Sequence, residues 1–219
     1  MLADVIRCII FDLDGTLVHS LPGIAASLNR SLKTAGLTTH PEHVVRGFIG
    51  NGMPKLVERA APTTSGEALD QLVDTMRNDY AQTWKQGTHP YPEVTETLEA
   101  LTQKEITIAV LSNKPDEYCR EITDAIFPNT HFPVVRGQRS DIPSKPDPTG
   151  ALSISTELNI PPSETALVGD STIDLETAKN AGMIDVAATW GYHDPPALAA
   201  LDPDHTIHSM GELIAILNI

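Results

Sequence analysis

Four apolar runs of strand length alternate along the chain with segments of helix length. The runs cover residues 5–11, 106–111, 165–168 and 184–189, and polar or glycine-containing turn residues follow each of them. Helix-length segments cover residues 94–103, 116–126, 149–158 and 172–181. Continuous apolar runs are typical of parallel strands that are buried on both faces. The alternation therefore predicts an α/β fold with a Rossmann-like, doubly wound parallel sheet.

The pattern changes between residues 21 and 86, where apolar residues recur at helical spacing and no strand is indicated. Candidate helices cover residues 24–35, 43–48, 53–60 and 67–84, with turn-prone residues between them. The proline-rich residues 89–92 then form a stiff connection back to the strand-and-helix region. These features predict two domains, a core formed by residues 1–19 and 88–219 and an inserted α-helical domain over residues 20–87.

The charge balance limits the classes of partner. The 219 residues include 29 acidic and 15 basic side chains, which gives a net charge of −14. Such an excess repels nucleic acid and anionic membrane surfaces, so we expect neither as a partner. The two cysteines, Cys8 and Cys119, do not indicate a disulfide framework, and residues 5–11 are too short and too charged for a signal peptide or a membrane span. We expect a cytoplasmic protein.

Two acidic residues follow the first apolar run directly, in the sequence Asp12-Leu13-Asp14-Gly15-Thr16. Open α/β sheets bind their ligands at the carboxyl ends of the strands, which is where this pair falls. Alternation in an extended segment places both carboxylates on one side, where they need a cation or a shared proton. Mg²⁺ is the expected cation because it prefers oxygen ligands. An isolated pair of this kind would more often be a solvated turn or a helix cap.

Polar residues also follow the later strands. Ser112 and Asn113 come after the second run, Lys145 lies in a loop that two prolines anchor, and Asp170 and Asp174 come after the third run. Taken singly, these residues fit helix capping, a surface lysine and complementarity to a helix dipole. Taken together, they predict one site at the carboxyl edge of the sheet.

In order and approximate spacing, these groups resemble the four motifs of the haloacid dehalogenase (HAD) superfamily. The match falls on residues 12–16, Ser112, Lys145 and residues 169–174, and the resemblance covers nearly the whole chain. The helical insertion resembles the α-helical cap of subclass I, and residues 49–60, 91–92 and 189–192 are similar to phosphoglycolate phosphatases. One departure is His19, where many relatives carry an acid, so the hinge into the cap can differ in detail.

The resemblance implies roles in catalysis. Asp12 would be the nucleophile that forms an aspartyl-phosphate, and Asp14 would act as general acid and then as general base. Ser112, Asn113 and Lys145 would hold the oxygens of the transferring phosphoryl group. The expected activity is that of a phosphatase acting on a small phosphorylated metabolite.

The resemblance also implies a Mg²⁺ site. Asp170 and Asp12 would bind the ion together with the backbone carbonyl of Asp14, while Asp174 would orient the metal ligands or the lysine. The motif positions hold carboxylates and neither histidine nor cysteine, as a hard cation requires.

Substrate selection is predicted to depend on the cap loop Gly50-Asn51-Gly52. Its glycines would let backbone amides approach a bound carboxylate or phosphate, and Asn51 could add a side-chain hydrogen bond. The resemblance points to 2-phosphoglycolate as the substrate. The plainer interpretation is that the two glycines merely end one helix and admit the next.

Several alternatives stay open at this point. A phosphomutase similar to β-phosphoglucomutase, or another superfamily phosphatase of sugar phosphates, would share all four motifs. A receiver-like signalling module would also bind Mg²⁺ and carry phospho-aspartate, but receivers are shorter and lack a helical insertion. A catalytically inactive binding module would not need the full set of motif residues. The chain could be a monomer or a homodimer.

Overall fold

A six-stranded parallel sheet forms the centre of the computed structural model, which describes residues 6–217. Its strands lie in the order β5-β4-β1-β6-β7-β8, where β1 is Cys8–Phe11, β4 is Thr107–Pro115, β5 is Val134–Gln138, β6 is Thr165–Gly169, β7 is Ile184–Ala188 and β8 is His205–Ile207. Every neighbouring pair is parallel. The predicted α/β fold is confirmed. Residues 1–5 and 218–219 of the predicted core lie outside the described residues. They include residue 5 of the first predicted strand.

Ten α-helices lie within residues 6–217. They are α1 (Leu21–Thr34), α2 (Glu42–Arg46), α3 (Gly52–Ala60), α4 (Glu67–Thr83), α5 (Val94–Gln103), α6 (Asp116–Ile126), α7 (Thr149–Leu158), α8 (Thr172–Ala181), α9 (Pro195–Ala199) and α10 (Glu212–Ile216). Helices α5 to α8 have the bounds that the sequence predicts. Helices α1 to α4 match the four predicted helices of the insertion, with ends that differ by at most three residues.

The central strand β1 shows how the sheet is covered on both faces. All four of its residues are buried. Ile9 and Phe11 pack in the apolar cluster that includes α5 and α6, whereas Cys8 and Ile10 pack in the cluster that includes α7 and α8. Because side chains alternate along a strand, these two sets face opposite sides of the sheet. Helices therefore lie on both faces, as the doubly wound arrangement requires.

The helical insertion is connected to the sheet region through a two-stranded ribbon. Strand β2 (Val18–His19) precedes α1, and strand β3 (His89–Pro90) follows α4 after a 3₁₀ turn. The two strands are antiparallel, with His19 opposite His89. Both chain crossings into the insertion therefore lie side by side. The division into a core domain and a cap domain stays a prediction.

The second central strand is longer than the sequence predicts. Its apolar run ends at Leu111, but β4 continues to Pro115 because its pairing with β5 shifts register between these two residues. Ser112 and Lys114 therefore lie on the strand itself, within the part of β4 where the register shifts. No helix within the described range is long and apolar enough to cross a membrane.

Candidate active site

The carboxyl edge of the sheet opens into a cavity of about 740 Å³, a volume that includes its mouth. Asp12 begins this edge where β1 ends, and its backbone N–H donates to the carbonyl of Val168 over 3.0 Å. The structure brings most of the predicted site residues to the cavity wall, namely Asp12, Asp14, Gly50, Gly52, Ser112, Asn113, Lys145, Asp170 and Asp174. Residues from four separate strand ends and from the insertion therefore meet at one place.

Three carboxylates are crowded together at the floor of the cavity. Asp12, Asp170 and Asp174 each offer an oxygen within 4.8 Å of the others, and all three are buried. Burial, followed by the negative charge of Asp174, raises the pKa of Asp12 to about 6, although Lys145 opposes the shift. Burial and the charges of Asp12 and Asp174 also raise the pKa of Asp170. An additional cation would relieve this repulsion.

The carboxylate of Asp170 is held in one orientation from both sides. The hydroxyl of Thr16 donates to its Oδ1 over 3.0 Å, and the backbone N–H of Tyr192 donates to its Oδ2 over 2.6 Å. A Cβ atom at Gly15 or Gly191 would overlap this carboxyl group, so both chain segments approach it as only glycine allows. A fixed set of carboxylate oxygens fits a hard divalent cation such as Mg²⁺.

Lys145 lies within the carboxylate cluster. Its Nζ donates to Oδ1 of Asp12 over 2.7 Å and to Oδ1 of Asp174 over 2.6 Å. A third bond, of 2.9 Å, reaches the carbonyl of Leu111, so protein groups use all three of its donors. Burial alone would lower the pKa of Lys145, but the two carboxylates outweigh it and raise the pKa. This lysine is therefore charged, and it orients Asp12.

Asn113 holds two loops together with its side chain. Its Nδ2 donates to the carbonyls of Lys145, over 3.1 Å, and of Gly50, over 3.0 Å. Its Oδ1 accepts from the N–H of Lys145 over 2.8 Å. The side-chain amide predicted to bind phosphate thus fastens the lysine loop to the insertion. Ser112 lies nearby on the cavity wall, 5% exposed, with its hydroxyl accepting from the N–H of Lys114.

Asp14 has a buried lysine partner that the motif analysis did not select. The Nζ of Lys114 lies 2.9 Å from Oδ2 of Asp14 and donates to the hydroxyl of Tyr80 over 2.8 Å. Burial would lower the pKa of Lys114, but Asp14 and then Tyr80 raise it. The position of Lys114, two residues after the motif residue Ser112, is a sequence signal that identifies it as a candidate. Its contact with Asp14, 100 positions away, has no sequence signal.

A chain of hydroxyl groups joins Asp14 to the start of the insertion. The hydroxyl of Ser20 donates to Oδ1 of Asp14 over 2.6 Å and lies 3.2 Å from the hydroxyl of Tyr192. The Tyr192 hydroxyl accepts from the backbone N–H groups of Ser20 and Leu21, each over 2.9 Å. His19 packs edge-on against His89, so the residue that departs from the family pattern lies in the connecting ribbon.

The loop predicted to select substrate is only partly placed at the cavity. Gly50 and Gly52 line it, with φ angles of +120° and +80°. Asn51 is not among the lining residues, and its side-chain oxygen accepts from Arg59 of the same insertion. The predicted hydrogen bond from Asn51 to substrate is therefore not supported by its position. Apolar side chains of the insertion also line the cavity, namely Ile24, Ile49, Met53, Leu56 and Met76.

Comparison with known proteins places this arrangement in a family. A family model described as "Haloacid dehalogenase-like hydrolase" matches residues 9–188. The chain is 33% identical to a phosphoglycolate phosphatase of Vibrio vulnificus over 97% of its own length and 96% of that protein. It is 34% identical to a phosphoglycolate phosphatase of Aquifex aeolicus, with 97% of each chain covered.

Solved structures agree with this relationship. The crystal structure of a predicted phosphoglycolate phosphatase from Haemophilus somnus superposes with a TM-score of 0.90 at 30% identity, over 96% of this chain and 97% of that one. The expected enzyme class, a phosphatase of this superfamily, is confirmed by these comparisons. The family model spans most of the chain, and the relatives match nearly all of it. Together with the carboxylate cluster at the carboxyl edge of the sheet, these matches show that the protein belongs to the haloacid dehalogenase-like hydrolase family.

Proposed function

We propose that this enzyme is a Mg²⁺-dependent phosphatase that hydrolyses 2-phosphoglycolate through an aspartyl-phosphate on Asp12. The observation that carries the proposal is the position of Asp12 between Lys145 and the carboxylates of Asp170 and Asp174. Lys145 binds Oδ1 of Asp12, which leaves Oδ2 to act as the attacking atom. A carboxylate nucleophile splits a difficult hydrolysis into two easier displacements.

In the first displacement, Oδ2 of Asp12 attacks phosphorus while the bond from phosphorus to the ester oxygen breaks. Asp14, in its protonated form, gives its proton to the departing alkoxide. In the second displacement, Asp14 takes a proton from water as that water attacks the phosphorus of the aspartyl-phosphate. Inorganic phosphate leaves, and Asp12 returns to its carboxylate form. Ser112 lies on the cavity wall where its hydroxyl can donate to a phosphoryl oxygen.

The metal site would consist of Asp12, Asp170 and the backbone carbonyl of Asp14. A bound Mg²⁺ supplies charge neutralisation to a dianionic substrate, which otherwise repels an attacking carboxylate. Asp174 is capped by the backbone N–H and hydroxyl of Ser171 on one oxygen, and its other oxygen holds Lys145. We therefore assign Asp174 to positioning Lys145 and thereby Asp12.

The choice of substrate is supported by the names of the curated relatives, which are phosphoglycolate phosphatases at about one-third identity along the whole chain. A cavity enclosed by the insertion suits a compact phosphate ester. The cytoplasmic location and the monomeric or homodimeric state stay predictions.

A turnover screen tests the proposed function. Phosphate release is measured from 2-phosphoglycolate, several hexose phosphates and p-nitrophenyl phosphate, in Mg²⁺, after chelation and after Mg²⁺ is restored. We expect 2-phosphoglycolate to have the highest kcat/KM, with activity lost on chelation and recovered on restoration. Undiminished hydrolysis by demetallated protein would contradict the metal site. A hexose phosphate that is isomerised instead of hydrolysed would favour the phosphomutase alternative.

A further inference from the structure

The cavity contains a second buried lysine that the proposed phosphoryl-transfer steps do not use. Lys114 is 8% exposed, lies near the end of β4 and reaches both the sheet region and the insertion. Its Nζ contacts Asp14 of the sheet region and Tyr80 of α4. Lys145, by comparison, is saturated by Asp12, Asp174 and a backbone carbonyl. A second cation inside an enclosed cavity indicates a second negative charge on the ligand.

The partners of Lys114 leave it able to bind a ligand. Asp14 lines the same cavity as Lys114, so its carboxylate can turn from Lys114 towards a bound substrate. Burial, followed by the charge of Asp14, raises the pKa of the Tyr80 phenol. This partner of Lys114 is therefore neutral. Once Asp14 has moved, the ammonium group of Lys114 would be buried with only a neutral partner. An uncompensated buried charge is unfavourable, so an anionic group of the substrate is favoured there.

The two ends of such a substrate would contact neighbouring residues of β4. Ser112 and Lys114 are two residues apart there, and both line the cavity. The phosphoryl group lies at the Ser112 end, beside Asp12, and the second anion lies at the Lys114 end. In 2-phosphoglycolate only three bonds separate phosphorus from the carboxylate carbon. Apolar side chains of the insertion, such as Met76 and Ile24, line the same cavity, and an apolar surrounding strengthens the attraction between opposite charges.

We propose that Lys114 is the specificity-determining residue of this enzyme, which binds the carboxylate of the substrate in exchange for Asp14. Tyr80 is its positioning residue, because the Tyr80 hydroxyl fixes the ammonium group without contacting the reacting atoms. The inference rests on the proposed function. It adds that a carboxylate on the substrate frees Asp14 for proton transfer, so that esters without a second anion are poor substrates.

The test compares two esters that differ at one end. The parent protein, Lys114→Met, Tyr80→Phe and the exposed-lysine control Lys104→Met are assayed with 2-phosphoglycolate and with 2-hydroxyethyl phosphate, which has a hydroxymethyl group in place of the carboxylate. The parent and Lys104→Met should prefer 2-phosphoglycolate by about 100-fold in kcat/KM, the range of a charge-assisted hydrogen bond. Lys114→Met should lose most of that preference, because kcat/KM for 2-phosphoglycolate falls much more than kcat/KM for 2-hydroxyethyl phosphate and KM for 2-phosphoglycolate rises. Tyr80→Phe should lose part of it.

Equal losses on both esters in Lys114→Met would show that Lys114 only supports Asp14, and this result would overturn the inference while the proposed function stood. If Lys114→Met does not fold, Tyr80→Phe provides the test. A Tyr80→Phe protein that prefers 2-phosphoglycolate as strongly as the parent does would overturn the inference. A parent protein that hydrolyses other phosphate esters but not 2-phosphoglycolate would instead overturn the proposed function, and the inference with it.

Discussion

Both buried lysines of the cavity are paired with carboxylates from distant parts of the chain. Lys145 binds Asp12 and Asp174, and Lys114 binds Asp14. Removing one partner leaves the other charge buried without compensation, at a cost of roughly 3–5 kcal/mol in typical proteins. Substitutions at these residues therefore change stability as well as catalysis, and each activity measurement on them needs an unfolding curve beside it.

Asp185 is a buried carboxylate outside the active site. It is 1% exposed in β7, and its Oδ2 has no hydrogen-bond partner among the described residues, although Nζ of Lys179 lies 3.8 Å away. Burial, followed by the neighbouring carboxyl of Asp204, raises the pKa of Asp185 to about 6. The folded protein thus holds this proton more tightly than the unfolded chain, where the pKa is about 3.9.

We predict that Asp185→Asn is more stable than the parent at pH 7.5. The raised pKa favours folding fully below about pH 4, and this contribution is lost as the pH rises through about 6. Asparagine has no carboxylate to ionise, so the gain should be roughly 1 kcal/mol at pH 7.5 and should shrink towards pH 4.5. Urea unfolding at both pH values measures it, and kcat should not change. A variant less stable than the parent at pH 7.5 would refute the prediction.

Among the elements, the start of α3 lies close against the sheet region. A Cβ atom at Gly52 would lie 2.7 Å from Oε1 of Gln138 and 3.2 Å from the carbonyl of Asn113, and the φ of +80° is unfavourable for other residues. The neighbouring Asn51 points instead to Arg59 within the insertion. Gly52 therefore packs against the sheet region, whereas the side chain of its neighbour Asn51 bonds within the insertion.

We predict that Gly52→Ala lowers kcat/KM for 2-phosphoglycolate by at least about 10-fold, because backbone strain of roughly 1–2 kcal/mol and the contact with Gln138 move the insertion off the cavity. Asn51→Ala should stay within about 3-fold of the parent, since surface substitutions usually change free energies by less than about 0.5 kcal/mol. Steady-state kinetics on both variants provide the comparison. A larger loss in Asn51→Ala than in Gly52→Ala would restore a direct role for the asparagine.

The elements also show what the sequence can and cannot predict. Helices α5 to α8 were predicted with the observed bounds because their apolar periodicity ends at clear turn residues. Strands β5 and β8 were missed, since β5 places Arg136 and Gly137 inside an edge strand and β8 has only three residues. Ser112 was predicted from its position after an apolar run. Tyr80 was not, because its contact with Lys114 depends on how α4 packs against β4.

At the scale of the whole molecule, the active site and the entry to the insertion share Tyr192. This residue follows β7, and its hydroxyl accepts two backbone N–H groups at the start of α1. Through Ser20 it also reaches Asp14. Any movement of the insertion relative to the sheet region would therefore be transmitted to Asp14 through these bonds.

We predict that Tyr192→Phe lowers the free energy of unfolding by about 2 kcal/mol, because two buried N–H donors lose their acceptor. It should also lower kcat, since Ser20 then holds Asp14 less firmly. Tyr91→Phe is the matched control, because the Tyr91 hydroxyl lies 3.3 Å from Nδ1 of His19 and accepts no backbone N–H among the described residues. Urea unfolding and steady-state kinetics of both variants test this. Equal effects of the two substitutions would contradict the proposed link.

The central claim is that Asp12 accepts the phosphoryl group, and detection of that covalent intermediate tests it most directly. Asp14→Asn protein, in which hydrolysis of the intermediate is slowed, is mixed with p-nitrophenyl phosphate and Mg²⁺, quenched in acid and mapped by peptide mass spectrometry. The account predicts one phosphoryl group on Asp12. It predicts none in the double variant that carries both Asp12→Asn and Asp14→Asn. Phosphate release at the parent rate by folded Asp12→Asn protein, or a phosphoryl group on another residue, would contradict it.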